Sequence, residues 1–123
     1  MANPQTYFAN KIIWITGASS GIGKELAIAY SKISGVSLIL SARRIEKLTE
    51  IAKQCEQNGA KCTVFPLDLE QTDTLDEKSH EAIAIYGRID VLVNNGGISQ
   101  RSLTIETPIA NDRKIMEIDY FSS

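Results

Sequence analysis

A glycine-rich octapeptide, TGASSGIG at Thr16–Gly23, limits the fold of this 123-residue chain more than any other segment. It follows a short apolar run and precedes a segment whose apolar residues recur at helical spacing. Gly17 permits a sharp turn, Gly21 removes a side chain that would block a diphosphate, and Gly23 lets the helix pack closely on the strand. The N–H groups at the start of the helix then face the diphosphate. The octapeptide therefore predicts a dinucleotide-binding turn between a strand and a helix.

A P-loop, the phosphate-binding turn of many ATPases and GTPases, is the competing interpretation, because Gly23 is followed by Lys24. That motif also requires a glycine where this chain has Ala18, and a serine or threonine where it has Glu25. The sequence therefore excludes the P-loop class of nucleotide-binding proteins.

Strands and helices alternate along the chain. Apolar runs predict strands over residues 11–16, 37–41, 61–65 and 89–93, and helical spacing predicts helices that begin near residues 22, 45 and 75. A last helix is predicted from about residue 111 through the segment MEIDYF. This alternation predicts an α/β fold, a Rossmann-like doubly wound parallel sheet of about four strands in the order 3-2-1-4. No linker or repeat interrupts the pattern, so residues 1–123 are expected to form a single domain.

Composition favours an ordinary globular protein without a nucleic-acid, membrane or metal partner. The formal net charge is −2, so the chain lacks the basic field that nucleic acid requires. No apolar run approaches the ~20 residues of a membrane span, and the first residues, MANPQTYFANK, lack the apolar core of a signal peptide. Two cysteines without CxxC spacing and a single histidine, His80, give no zinc site. We therefore expect a cytoplasmic protein.

Two motifs together resemble the short-chain dehydrogenase/reductase family. The octapeptide matches all four fixed positions of the family pattern Thr-Gly-x-x-x-Gly-x-Gly. The fourth predicted strand runs into Asn94-Asn95-Gly96-Gly97, which is similar to the family's Asn-Asn-Ala-Gly with glycine in place of alanine. The resemblance covers residues 11–123 and implies hydride transfer between a nicotinamide cofactor and a carbonyl or alcohol.

The residues after the second strand favour NADP(H) over NAD(H). An NAD-preferring dinucleotide fold places an acidic side chain near this strand end, where it binds the ribose 2′-hydroxyl. Here Ala42 stands at that position, and Arg43 and Arg44 follow it. Two solvated surface arginines are the alternative, but positive charge at a helix N-terminus opposes the helix dipole. A dianionic 2′-phosphate, which a guanidinium binds with two parallel hydrogen bonds, is the better explanation.

The resemblance also implies further cofactor contacts. Asp68 and Leu69 would contact adenine, while Asn95 and Gly96 would line the ribose. The full set of predicted cofactor-binding residues is Gly17, Ser19, Ser20, Gly21, Ile22, Gly23, Arg43, Arg44, Asp68, Leu69, Asn95, Gly96 and Gly97.

The resemblance further implies a catalytic set that this chain does not complete. Family members use a tyrosine as general acid or base, a lysine four residues later that lowers its pKa, a serine, and an asparagine in the helix after the Asn-Asn-Ala-Gly motif. In MEIDYF, Asp119 occupies the asparagine position. Only Tyr7 and Lys11 have the tyrosine–lysine spacing, but Lys11 begins the first strand, at the edge of the sheet opposite to the cofactor chemistry.

The sequence is therefore interpreted as a truncated cofactor-binding portion of an NADP-dependent oxidoreductase, with a small carbonyl or alcohol as substrate once it is completed. A non-catalytic dinucleotide-binding module, sensor or partner subunit is the alternative. Without the remaining strands, the fourth strand would present Val91, Leu92 and Val93 as an apolar edge. We therefore expect self-association or homo-oligomer formation through that edge.

Overall fold

The computed structural model describes residues 7–19, 21–68, 75–95 and 115–119. Eight regular elements lie within these ranges: β1 (Ile12–Thr16), α1 (Gly21–Ser31), β2 (Ser37–Ser41), α2 (Ile45–Gln57), β3 (Lys61–Val64), α3 (Leu75–Tyr86), β4 (Val91–Asn94) and β5 (Met116–Asp119). The first seven agree in type and place with the elements that the sequence predicts, apart from one or two residues at some ends.

The strands form one parallel sheet in the order β3-β2-β1-β4-β5. The predicted order 3-2-1-4 and the Rossmann-like parallel architecture are confirmed, and β5 extends the sheet beyond β4. Because every strand points the same way, all carboxyl ends meet at one edge of the sheet. Ligands of doubly wound sheets bind outside that edge.

The segment Met116–Asp119 is a strand and not part of a helix, so the prediction for its type was wrong. It pairs with β4 along its length, with Met116 opposite Val91 and Asp119 opposite Asn94. Ile115 and Ile118 explain the error: residues three apart share one face of a helix but lie on opposite faces of a strand. Here Ile118 packs on the α1–α2 side of the sheet and Ile115 on the α3 side.

The pairing also corrects the prediction of an apolar edge at β4. Val91, Leu92 and Val93 are all buried, with β1 on one side and β5 on the other. Pairing with β5 satisfies N–H and C=O groups that an edge strand leaves to water. The residues before Ile115 in the predicted last helix lie outside the described residues.

Apolar layers cover both faces of the sheet. Alternate residues of β1 point to opposite sides, so that Ile13 and Ile15 face α1 and α2 while Ile12 and Trp14 face α3. Trp14 is 2% exposed, and its indole nitrogen donates a hydrogen bond of 2.8 Å to the Ser41 hydroxyl at the end of β2. These layers fix the strand ends on which the candidate site is built.

We expect Tyr86→Phe to destabilise the chain more at neutral than at alkaline pH. The hydroxyls of Tyr86 and Thr63 lie 2.8 Å apart, so the substitution should lower the free energy of unfolding by about 1 kcal/mol at neutral pH. Burial raises the pKa of Tyr86, and the hydrogen bond with Thr63 lowers it by less. The folded chain therefore resists ionisation of the phenol. This part of the wild type's stability is intact below the unfolded pKa of about 10 and is lost as the pH rises above it.

Urea unfolding of wild type and Tyr86→Phe at about pH 7 and about pH 10.5 measures this difference. The gap in unfolding free energy between the two proteins should narrow at the higher pH. Tyr7→Phe, at a tyrosine that is 43% exposed, is the matched control. A gap that stays constant with pH would show that folding does not change the ionisation of Tyr86.

Candidate functional site

The turn between β1 and α1 has the backbone geometry that only glycine adopts readily. Gly17 and Gly21 have φ angles of 63° and 52°, in the left-handed region. At Gly23, a Cβ atom would overlap the carbonyl oxygen of Gly17 and would lie 2.9 Å from Nδ2 of Asn95. Helix α1 therefore packs directly against the turn that precedes it, and only the absence of a side chain at Gly23 permits this.

Gly21 leaves open space beside the first turn of α1. Apart from its neighbours in the chain and the backbone of α1, no atom of the described residues lies within 4 Å of the position that its Cβ would take. Ile22 is 44% exposed, Ser19 is half-buried, and the first turn of α1 contains no acidic residue. The positive end of this helix is therefore not neutralised by a side chain of its own, and there is room for an anionic group to approach it. Ser20 lies outside the described residues.

Hydrogen bonds connect the end of β4 to the glycine turn. The Thr16 hydroxyl oxygen accepts a bond of 3.2 Å from the backbone N–H of Asn95, and Asn95 Nδ2 donates a bond of 3.1 Å to the carbonyl oxygen of Gly17. Oδ1 of Asn95 is buried and has no partner within the described part of the chain. A buried acceptor without a donor is costly, so a ligand hydroxyl at this point would be stabilised. The predicted contacts Gly96 and Gly97 lie outside the described residues.

The end of β2 lies beside the same turn. The N–H of Ala18 donates a bond of 3.1 Å to the carbonyl oxygen of Ser41. Ala42 is buried, whereas Arg43 and Arg44 are exposed and form no ion pair within the described ranges. Arg44 is the N-cap residue of α2, and its side chain makes no capping hydrogen bond. Two guanidinium groups thus stand at a helix N-terminus whose first-turn N–H groups lack a side-chain cap.

The segment after β3 completes this part of the edge. Leu67 donates a backbone bond of 3.1 Å to Ala42, which holds the segment alongside the end of β2. Asp68 follows it and is half-buried, with an interaction of its own. The predicted adenine contact Leu69 lies outside the described residues. The glycine turn and the ends of β2, β3 and β4 are therefore neighbours at the carboxyl edge.

The structure gives Asp119 a different setting from the predicted helix. Its backbone ends β5, directly opposite Asn94, so it is close in register to the motif that follows β4. Tyr7, by contrast, precedes β1 at the amino edge, and its hydroxyl donates a bond of 3.5 Å to the sulfur of Met116. The spacing of Tyr7 and Lys11 therefore does not bring a tyrosine–lysine pair to the candidate site.

Sequence reasoning missed Glu117. One of its carboxylate oxygens accepts a bond of 3.3 Å from Nδ2 of Asn94, whose side chain is buried. Only the pairing of β4 with β5 brings these two residues together, and no local sequence pattern indicated that pairing, because the pattern of this segment favoured a helix. Together, the groups at this edge can bind an anion and a hydroxyl, which is the chemistry of a nucleotide site.

The described ranges contain no group of three or more His, Cys, Asp or Glu residues that could hold a metal ion. None of the helices there is long and apolar enough to cross a bilayer.

Comparisons with known proteins agree with this geometry. The family model for the short chain dehydrogenase matches residues 11–123. Human dehydrogenase/reductase SDR family member 7 is 44% identical over 124 residues, an alignment that covers 98% of this chain and 36% of the relative. The chain thus spans little more than a third of the length of that relative.

Two solved structures that contain nicotinamide nucleotides have the same fold. A metagenomic short-chain oxidoreductase in complex with NADP has a TM-score of 0.68 at 31% identity, over 74% of this chain and 41% of that one. An alcohol dehydrogenase from the archaeon Thermococcus sibiricus, complexed with 5-hydroxy-NADP, has a TM-score of 0.65 at 34% identity, over 72% and 38%. By motif, fold and family match, the chain belongs to the short-chain dehydrogenase family.

Proposed function

We propose that this chain is the NADP(H)-binding portion of an oxidoreductase that transfers hydride between nicotinamide and a small carbonyl or alcohol. The observation that carries the proposal is the open space at Gly21, at the N-terminus of α1, next to the exposed arginine pair that follows β2. The open space at the helix N-terminus suits a diphosphate, and the arginine pair suits a 2′-phosphate. Both lie at the edge of the sheet where this fold binds nucleotides.

The preference for the phosphorylated cofactor depends on charge. Ala42 offers no carboxylate to a ribose 2′-hydroxyl, and a carboxylate there would repel a 2′-phosphate. Arg43 and Arg44 offer guanidinium groups that no ion pair within the described residues engages. A charge-assisted bond from one of them contributes about 1.5–3 kcal/mol, which corresponds to a preference of about ten- to a hundredfold. The NADP complexes of the two similar structures support the same cofactor.

The remaining groups suit the rest of the dinucleotide. The N–H groups at the start of α1 would bind the diphosphate, and the buried Oδ1 of Asn95 would accept a bond from a ribose hydroxyl. When bound, NADP(H) supplies or accepts the hydride. The described side chains bind and orient, and the tyrosine, lysine and serine that the family uses for proton transfer have no match in this chain. The comparisons give no support to the alternative of a non-catalytic sensor.

Titration of the 123-residue chain with NADPH and with NADH tests the proposal. Trp14 is the one tryptophan in the sequence, and it donates a hydrogen bond to Ser41, two residues before Arg43. Because it lies near the proposed site, energy transfer to a bound reduced nicotinamide should quench its fluorescence. NADPH should bind about ten- to a hundredfold more tightly than NADH. Equal affinities for the two nucleotides would overturn the proposed specificity.

Arg43→Ala tests the main phosphate contact. It should weaken NADPH binding by about tenfold or more and leave NADH binding nearly unchanged, because only NADPH carries the 2′-phosphate. Lys53→Ala is the matched control, since it removes an exposed positive charge from the same helix about two turns away from its start. Equal losses in the two variants would mean that general charge, and not a contact of Arg43, attracts the nucleotide.

A further inference from the structure

A line of hydrogen bonds joins β5 to the glycine turn. Glu117 accepts a bond of 3.3 Å from Nδ2 of Asn94, and Oδ1 of Asn94 lies 3.4 Å from the Thr16 hydroxyl. The Thr16 oxygen in turn accepts from the N–H of Asn95 at 3.2 Å, and Asn95 Nδ2 donates to Gly17 at 3.1 Å. The strand at one side of the sheet is thus connected to the turn beside which the diphosphate would bind.

The chemistry of the carboxylate sets the direction of these bonds. A carboxylate only accepts, so the Asn94 amide must present its nitrogen to Glu117 and its oxygen to Thr16. The Thr16 hydroxyl can then donate to that oxygen, and its own oxygen can accept from the N–H of Asn95. If the Asn94 amide turned round, its oxygen would face the Glu117 carboxylate with no proton between the two acceptors, and the Thr16 hydroxyl would turn to Val93, whose carbonyl oxygen lies 3.5 Å away.

Because the Asn94 amide is buried, its orientation decides whether its hydrogen bonds are made or lost. The Asn94 side chain is 6% exposed and Thr16 is fully buried, so water offers little replacement for a lost bond. Glu117 is half-buried on a strand whose place in the sheet depends on β4. A change at Glu117 therefore acts on the backbone of Asn95 through two buried side chains.

We propose that Glu117 is a positioning residue for the cofactor site. Its carboxylate orients Asn94, and through Thr16 it holds Asn95 against the glycine turn, with the Asn95 amide ready for a ribose hydroxyl. The effect on affinity rests on the proposed function, because the quantity that changes is the binding of NADP(H). The effect on the position of Asn95 does not depend on the cofactor.

The test compares Glu117→Leu with Glu117→Gln. Leucine removes the acceptor, whereas glutamine keeps an oxygen that can accept from Asn94. Glu117→Leu should weaken NADPH binding by about three- to tenfold, and Glu117→Gln should stay within about twofold of wild type. Glu50→Leu, an exposed glutamate on α2, is the matched control and should bind NADPH like wild type.

Amide NMR of the nucleotide-free chain gives a second readout that a purely structural role would not produce. The backbone N–H of Asn95 and the side-chain amide of Asn94 should shift in Glu117→Leu and return towards wild-type values in Glu117→Gln. If the leucine variant does not fold, Glu117→Ala provides the same loss of the acceptor with less added apolar surface.

Two results would overturn the inference: a variant without the acceptor that keeps the wild-type Asn95 resonance and NADPH affinity, or equal losses in the leucine and glutamine variants. A wild type that does not bind NADPH would overturn the proposed function, and with it the predicted effect on affinity. The resonances would still decide whether Glu117 positions Asn95, so the two failures are distinguishable.

Discussion

Gly23→Ala is expected to abolish NADPH binding and to lower the free energy of unfolding by about 3 kcal/mol, because a methyl group has no room there. It would overlap the carbonyl oxygen of Gly17 and approach Asn95 within 2.9 Å. One obstacle belongs to the turn and the other to the residue that follows β4, so relief requires α1 to move away from the ends of both β1 and β4. That movement displaces the N–H groups that are proposed to bind the diphosphate.

Gly21→Ala should separate binding from stability. Among the described residues, no atom outside the adjacent chain and the α1 backbone lies within 4 Å of the new methyl group, so the cost to the fold is the left-handed backbone at φ 52°, about 1 kcal/mol. The methyl group would nevertheless occupy the open space proposed for the diphosphate. NADPH affinity should therefore fall by about tenfold or more, with only a small loss of stability.

Gly59→Ala is the matched control for both variants. Gly59 lies between α2 and β3 with φ at 104° and open space around its Cβ position, so alanine there brings the same kind of backbone strain away from the site. Urea unfolding of the three variants measures the free energy of unfolding, and titration with NADPH measures the affinity for the nucleotide. Normal NADPH binding by Gly21→Ala would exclude the proposed approach of the diphosphate, and a stable Gly23→Ala would contradict the packing of α1 on the turn.

The sequence predicted the parts of the fold that depend on local patterns. Buried parallel strands appear as continuous apolar runs such as Ile12–Thr16, and turns that need a left-handed backbone are marked by glycine at Gly17 and Gly21. Right-handed crossovers then limited the order of the first four strands. Each inference used residues close together in the chain, which is why these elements were placed within one or two residues.

The parts that the sequence did not predict depend on register between distant strands. The spacing of Ile115 and Ile118 is compatible with a helix. Only the pairing with the side of β4 that β1 does not occupy shows that this segment is a strand. Glu117 reaches Asn94 across that pairing, and Thr16 reaches Asn95 across the pairing of β1 with β4. These two hydrogen bonds join residues that are 23 and 79 positions apart, so they follow from the pairing of strands and not from any local motif.

Arg44→Asp is expected to make the chain more stable while it weakens NADPH binding. Arg44 is the N-cap of α2, with extended backbone angles and no capping bond from its side chain. Aspartate at this position can accept a bond from a first-turn N–H and interacts favourably with the helix dipole, which together should add about 1 kcal/mol to the free energy of unfolding. The wild-type arginine opposes the dipole, so the proposed phosphate contact, and not the stability of α2, would account for an arginine at this position.

The same change should lower NADPH affinity by about a hundredfold, because a guanidinium contact is replaced by a negative charge beside the 2′-phosphate. The affinity for NADH should change little.

Arg44→Asn separates the effect of the cap from the effect of the charge. Asparagine supplies a similar cap without a negative charge, so the free energy of unfolding should also rise, while the loss of NADPH affinity should be smaller, about tenfold. Urea unfolding and paired NADPH and NADH titrations measure both quantities. Unchanged NADPH binding in both variants would remove Arg44 from the phosphate site, and a loss of stability in both would mean that Arg44 has a structural role at the start of α2. A higher free energy of unfolding together with a lower NADPH affinity is expected only if Arg44 contacts the nucleotide and destabilises the start of α2.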